Sequence, residues 1–483
     1  MKLIYQVEDK PKGGQLIVFA LQQLLAILTA TLVVPVVING NVNKLITDGE
    51  LSWQMTEQMS PSAALFGAGV GTIIYLLFTL RKSPVFLGSS FAFLGSMTSA
   101  FAGAATMALG YLGLILGAFL AGLVYVIISV IVSFCGTEWI SKLMPAVVIG
   151  PTVAIIGLSL AGNAVSDLTT GPEKKYALLC GLVTLFVTML SSVYGKKYGK
   201  LIPFIFGILA GYVFAIVLTL VGNNFGYNEL KLLSTDSFKA LLDEDNNIHL
   251  GTFLSVPDFT FLSVKGAFSD FSFGYFMTVF VAYVPVAFVV FAEHLADHMN
   301  ISSIIEKDLL KDPGLSRTLL GDGVGSMAGA FFGGCPNTTY GESIGCVAIT
   351  KNASVVSIFA AAIGAIVISF LAPFIAFVNS IPKCVMGGVC MALYGFIAVS
   401  GLKMIQNVDL NKNKNLFVVS VILISGVGLL EVSFGKVTIT KVACALILGI
   451  ITNLLLKGAK DEDEGADAAP KAPAEEAEAV KED

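Results

Sequence analysis

The sequence predicts an all-α polytopic membrane protein. It predicts fourteen transmembrane segments in a seven-plus-seven inverted repeat, with short extended strands before the third and tenth half-helices. Three observations point there. Of 483 residues, 55% are hydrophobic and 13% charged, whereas a soluble domain carries about 25% charged residues. Apolar runs of membrane length follow one another along most of the chain. Two of the apolar regions are broken in the same way, at SPVFLGSSFAF (83–93) and GGCPNTTYGESIG (333–345).

The segments lie at roughly 15–38, 62–80, 91–107, 109–133, 143–161, 176–194, 201–221, 273–294, 316–332, 341–350, 354–378, 384–402, 416–431 and 438–457. The charged start MKLIYQVEDKPKGG argues against a cleaved leader, because the first apolar run already has spanning length. The third and tenth segments are too short to cross about 30 Å of hydrocarbon as helices. Each follows one of the breaks, so each can cross as an extended half plus a half-helix. The ninth, LGDGVGSMAGAFFG, is Gly-rich and weakly apolar. It must pack against protein, and its small residues permit close approach. With both termini cytoplasmic, inside loops hold a roughly twofold excess of Lys and Arg, as the positive-inside rule requires. Seven is odd, so two halves of seven run in opposite directions, and the broken element is the third of each.

Two outside loops are long. Residues 39–61 contain Trp53, and 222–270 contain FLSVPDFTFLSV, which reads as a short hairpin or a surface-lying segment. The tail from Asp461, rich in Ala, Pro and acid without periodicity, reads as disordered. The seven cysteines show no CxxC or metal spacing and read as buried free thiols. No cofactor motif, catalytic set or nucleic-acid-binding pattern appears.

Non-helical backbone at membrane depth is tolerated only where protein or a wet cavity satisfies it. Paired interruptions are the best sequence pointer to a transporter's binding site. The eighth segment ends VVFAEHLADHMN. Glu293 and Asp297 are four apart and share a helix face, while His294 and His298 form a second pair about 100° away. A metal site would want the HExxH order, so this arrangement speaks against metal. His298 reads as part of the cytoplasmic helix end, where a cation is favourable. Glu293 lies a turn deeper, where a carboxylate without a role is costly. Glu342 opens the tenth half-helix, either as a plain cap or as a ligand acceptor. Free N–H groups at such a terminus donate to ligand oxygens, and Gly341 lets a ligand approach the backbone. Phe91 starts the third half-helix, with an N–H to donate and a ring to stack. Two carboxylates beside backbone donors suit a flat neutral heterocycle carrying N–H next to C=O, such as a pyrimidine or purine base.

At these residues the sequence resembles the nucleobase–ascorbate transporter family, and within it the bacterial uracil permeases. The motifs are LQQLLAILTATLVVPV (21–36), FLGSSFAF (86–93), AEHLADH (292–298), KDLLKDPGLSR (307–317), PNTTYGESIG (336–345) and IPKCVMGGVCMALYG (381–395). The resemblance implies a core domain of 1–135 and 271–380 and a gate domain of 136–222 and 381–458. Between them lie an extracellular loop at 223–270 and, after them, a disordered cytoplasmic tail at 459–483. It implies proton-coupled uptake of uracil across the plasma membrane by alternating access, in a lipid-embedded homodimer. It implies substrate contacts at Glu293, Glu342, Phe91, Gly341, Tyr340 and Ala30, a gate residue at Tyr394, and proton coupling through Asp297 or Glu293. Purine-carrying relatives usually have Gln where Glu342 stands, so Glu favours uracil. A xanthine or other purine carrier, or a sulfate-transporter-like anion carrier of the same architecture, is the alternative. Asp297 and Gln23 stand where some relatives have His, and Ser343 replaces a common Asn.

Overall fold

Long apolar runs become long helices because only a helix satisfies every backbone polar group inside a bilayer. The computed structural model describes residues 3–136, 139, 143–242, 247–406, 408–434 and 437–458. The tail expected to be disordered lies outside the described residues.

The first half runs α1 (Gly13–Thr47), α2 (Pro61–Phe78), β1 (Leu87–Ser89), α3 (Leu94–Ala102), α4 (Met107–Cys135), α5 (Ala146–Ser159), α6 (Ala161–Leu168), α7 (Lys174–Tyr194) and α8 (Pro203–Phe225). The second runs α9 (Phe273–Ile305), α10 (Leu315–Gly333), β2 (Asn337–Thr339), α11 (Gly341–Thr350), α12 (Val355–Ile368), α13 (Ala372–Ser380), α14 (Lys383–Met404), α15 (Asn413–Val427), the hairpin β3 (Val432–Phe434) and β4 (Val437–Ile439), and α16 (Lys441–Leu455). Among the described residues, nine helices are long and apolar enough to cross a membrane, counting α5 and α6 as one. Phe91–Ala102, Val355–Ile368 and Asn413–Val427 are shorter apolar helices.

Local sequence sets the helix starts. The Ser60 hydroxyl accepts from the Ala63 N–H ahead of α2, and Pro61 sits at its first position. Ser272 caps α9 through the Tyr275 N–H. Helix α9 runs to Ile305, about three turns beyond the expected apolar segment.

The Gly-rich segment of α10 lies against α2, where the helix backbones nearly touch. A Cβ on Gly325 would sit 2.8 Å from the Gly71 carbonyl oxygen. Any side chain there would force the helices apart. Helix α10 also packs on α4, and α12 packs on both α1 and α2. Helices α5, α6 and α7 instead pack on α14, with α15 and α16 against α5.

The two interrupted segments meet each other. β1 and β2 pair antiparallel, with Leu87 opposite Thr339, Gly88 opposite Thr338 and Ser89 opposite Asn337. The Ser90 N–H donates to the Pro336 carbonyl, and the Tyr340 N–H to the Phe86 carbonyl. Each strand thus satisfies the other's backbone in a fully buried setting. The Thr72 hydroxyl accepts from the Leu87 N–H, and the Asn337 amide donates to the Gly67 carbonyl. Helix α2 therefore braces both strands.

In the loop before α9 the described residues form one-turn helices, Asp236–Lys239 and Leu250–Phe253, with a 3-10 turn at Thr260–Leu262. The FLSVPDFTFLSV stretch forms no hairpin there. It docks instead: the Ser255 N–H donates to the Phe370 carbonyl, and Phe259 and Phe261 join Phe66, Phe331 and Phe332 in an aromatic cluster. All seven cysteines are free, with Cys135 exposed and the other six buried.

Candidate functional site

Helix α9 places Glu293 and Asp297 one turn apart, and both face a cavity of about 400 Å³. Gly341 and Glu342, at the start of α11, line the same cavity. The walls come from Leu25 and Ala26 of α1 and from Leu393, Phe396 and Ser400 of α14. The cavity runs on to Asn300, Lys200 and Met404.

The N-cap of α11 is Tyr340, whose side chain makes no capping bond, and the Glu342 carboxylate in the first turn lies against its own backbone N–H. Gly341 is exposed to the cavity. The first N–H groups of α11 thus face the same space as three carboxylates. The other broken segment starts likewise: Ser90 precedes the turn Phe91–Phe93 and gives no side-chain cap.

Hydrogen bonds hold these groups in place. The Thr339 hydroxyl donates to Asp297 Oδ2 at 2.8 Å, tying β2 to α9. Gln23, buried in α1, donates its amide to the Ser343 hydroxyl and, at 3.2 Å, to the Ser343 carbonyl. The Ser343 hydroxyl also accepts the Phe86 N–H at 3.0 Å. One serine beside Glu342 therefore joins α1, the strand segment and α11.

Not every expected residue lines this cavity. Phe91 lines a second one, of about 820 Å³, with Asn41, Thr98 and Asn163. Its ring meets that of Tyr394 edge-on, with centroids 5.9 Å apart. Tyr340 is buried, and its hydroxyl donates to the Ser89 carbonyl at 2.8 Å. Ala30 is buried in α1. Phe91 and Tyr394 form an aromatic contact between the segment before α3 and α14, while the Tyr340 hydroxyl holds the Ser89 carbonyl of β1.

His298 departs from its sequence reading. It is fully buried, because α9 continues well past it, and its Nε2 lies 2.7 Å from the Tyr75 hydroxyl. His294 is also fully buried, with Nδ1 2.6 Å from Asp322 Oδ2. Asp322 was missed in the sequence, though the signal was present. It is an acid inside a membrane segment, where ionisable groups are functional candidates by default. Among the described residues, no group of three or more His, Cys, Asp and Glu is arranged to hold a metal.

Nine apolar helices of spanning length among the described residues, with two broken segments that cross-pair beside a carboxylate-lined cavity, define a multi-pass membrane protein. The sequence pattern of the Permease family matches residues 14–434. The chain is 36% identical to the uracil permease of Bacillus caldolyticus over 464 residues, covering 95% of each chain. It is 33% identical to the uracil permease of Escherichia coli K12, covering 93% of each. The chain belongs to this permease family, the nucleobase–ascorbate transporters whose motifs it carries. Its fold is similar to the transmembrane domain of a cyanobacterium bicarbonate transporter, BicA. That TM-score is 0.55 at 13% identity, covering 93% of this chain and 100% of the other. It is also similar to the murine solute carrier 26 family member A9 anion transporter. There the TM-score is 0.56 at 12% identity, covering 93% of this chain and 69% of that one.

Proposed function

We propose that this protein is a proton-coupled uracil symporter of the plasma membrane. The observation that carries the reading is the convergence of Glu293, Glu342 and the first turn of α11 on one cavity. Uracil presents ring N–H groups beside carbonyl oxygens. Glu293 accepts one N–H and Glu342 another, while the Gly341 backbone amide donates to a carbonyl; Phe91, which lines the second cavity in this structure, adds its amide only when its segment moves toward the first. Charged acceptors make these bonds stronger than neutral ones. The names of the relatives support the same substrate.

Coupling follows from desolvation. Taking a carboxyl group out of water favours its neutral form. Asp297 takes up a proton from outside with the substrate, and one negative charge fewer then has to cross the bilayer. The segments divide as fourteen spans in two inverted halves. A core of 1–135 and 271–380 moves against a gate of 136–222 and 381–458, with both termini cytoplasmic and 223–270 outside. Homodimerisation through the gate domain accompanies this reading by family analogy.

The fold alone is shared with anion carriers, but three carboxylates around the cavity would repel a simple anion. Uptake of radiolabelled uracil into vesicles tests the reading. An imposed proton gradient should drive accumulation and a sodium gradient should not. Accumulation under sodium alone would remove the coupling assignment. Glu342→Gln should weaken uracil binding by about 1.5–3 kcal/mol, as for loss of a charge-assisted hydrogen bond, and xanthine should not compete with uracil in the unaltered protein. Competition by xanthine as strong as by uracil would favour the purine alternative.

A further inference from the structure

Beside the cavity, about 100° round α9 from the carboxylates, lies a second group of titratable side chains. His294 Nδ1 is 2.6 Å from Asp322 Oδ2 of α10, and His294 Nε2 is 3.1 Å from the Thr318 hydroxyl. The Thr318 hydroxyl donates to the Leu315 carbonyl at 3.0 Å. The His294 ring stacks on His298, with centroids 4.0 Å apart. His298 Nδ1 donates to the His294 carbonyl, and its Nε2 lies against Tyr75 of α2. Tyr125 of α4 faces the His294 ring at 6.1 Å. Glu293 and Asp297 are the charged groups on α9 itself, and both point to the cavity instead, as does Glu342 of α11. His294 and Asp322 are fully buried, and neither lines that cavity.

The hydrogen-bond pattern and the cost of burying a bare charge together assign the charge of this pair. With the Thr318 hydroxyl donating to the Leu315 carbonyl, its oxygen accepts from His294, which places a hydrogen on Nε2. A second hydrogen must lie between Nδ1 and Oδ2, since two bare lone pairs would not approach to 2.6 Å. A neutral imidazole has only one N–H, so the second hydrogen is an added proton, and the pair is electrically neutral. Asp322 Oδ1 has no hydrogen-bond partner. Among the described residues no Lys or Arg is fully buried to offset a bare carboxylate. Without the added proton, a lone negative charge would remain in the apolar interior, at large cost.

We propose that His294 and Asp322 form a proton-binding site that keeps its proton across the neutral pH range. This neutral pair holds α9 to α10 and orients the cavity-facing carboxylates without exchanging protons with the cavity. The proposal goes beyond the uracil reading, and only its separation from the coupling proton rests on that reading.

The test needs no substrate. The full chain in lipid nanodiscs, labelled with nitrogen-15 histidine, contains three imidazoles. One should keep its Nε2 protonated and show no titration from about pH 6 to about pH 9, across the range where an ordinary histidine loses its proton. In Asp322→Asn, which removes the carboxylate that shares the added proton, the Nδ1 signal should shift to that of a neutral imidazole outside such a shared bond. A bare His294 Nε2 at neutral pH, or one that titrates with the medium, would overturn the proposal. The pH profile of thermal unfolding gives an independent readout. His294→Asn leaves Asp322 without its base, so its stability should fall as pH rises, because the folded state then binds the proton more tightly than the unfolded state. Adding Asp322→Asn should flatten that profile again. Equal pH slopes for the single and double variants would sink the proposal. If His294→Asn does not accumulate folded, the wild-type and Asp322→Asn spectra still decide. A protein showing the protonated pair but no uracil binding would refute only the proposed function.

Discussion

Glu293 and Asp297 share a helix face and a cavity, yet the proposed roles separate them. Asp297 is held by the Thr339 hydroxyl at 2.8 Å, which fixes it beside β2 while leaving its second oxygen free to take a proton. Two carboxylates one turn apart titrate as a coupled pair. Asp297→Asn should therefore keep uracil binding and exchange but abolish accumulation driven by a proton gradient, measured in the same vesicles. Full accumulation by that variant would move the proton to Glu293. Glu293→Gln should lose binding by about 1.5–3 kcal/mol, the amide oxygen being the weaker acceptor. Unchanged uracil affinity would exclude Glu293 as the primary acceptor. The sequence carried Glu293, Asp297, Gly341 and Glu342 legibly, since helical spacing puts the first two on one face and a glycine break marks the start of the half-helix that carries the others. It did not carry Thr339 as the partner of Asp297, or Asp322 as the partner of His294. Such contacts join segments that no local periodicity relates. His298 was misread because an apolar run ends where hydropathy falls, whereas a helix ends where its hydrogen bonds do. Helix α9 continues to Ile305 behind a protein wall.

At the scale of elements, glycine spacing carried real information. The weakly apolar α10 was expected to lie against protein, and Gly325 faces Gly71 across a near backbone contact. Gly325→Leu should destabilise the protein by about 1–3 kcal/mol through overpacking, read as a lower unfolding temperature in detergent. A change within error would mean that α2 and α10 can part freely. The breaks at 83–93 and 333–345 were visible as Pro and Gly inside apolar sequence, but the cross-pairing register is a property of two distant segments and lies beyond any window of sequence. The same holds for Gln23. Read alone it is a polar residue in an apolar helix, and only the fold brings its amide to Ser343. Gln23→Leu leaves the Ser343 carbonyl without that donor beside Glu342. It should weaken uracil binding, with Ser343→Ala adding less in that background than alone, because both act through one linkage. Strict additivity of the two changes would show that the linkage does not position Glu342.

For the whole molecule, Phe91 lines the second cavity and meets Tyr394, whose chain neighbour Leu393 lines the first. The one holding the carboxylates runs toward Lys200, Asn300 and Met404, which positive-inside reasoning puts on the cytoplasmic side. At the other end the Asn163 amide of α6 donates to Asn41 Oδ1 of α1 at 3.2 Å, and the Asn41 amide donates to the Thr98 hydroxyl of α3. In the proposed division, Asn41 and Thr98 belong to the core and Asn163 to the gate. Their contact is therefore one that outward opening must break. Asn41→Cys with Asn163→Cys, in a background without the seven native cysteines, should be joined by a short bifunctional thiol reagent. Joining should block both uptake and exchange of uracil, because each requires the outer end to open. Binding of uracil to the solubilised, cross-linked protein should persist, because the carboxylate cavity opens at the opposite end. Uptake that continues after complete cross-linking would show that these helices do not separate during transport. Loss of binding together with uptake would show instead that the outer contact controls the site itself, and the rigid movement of core against gate would have to be replaced by a local rearrangement around Phe91 and Tyr394.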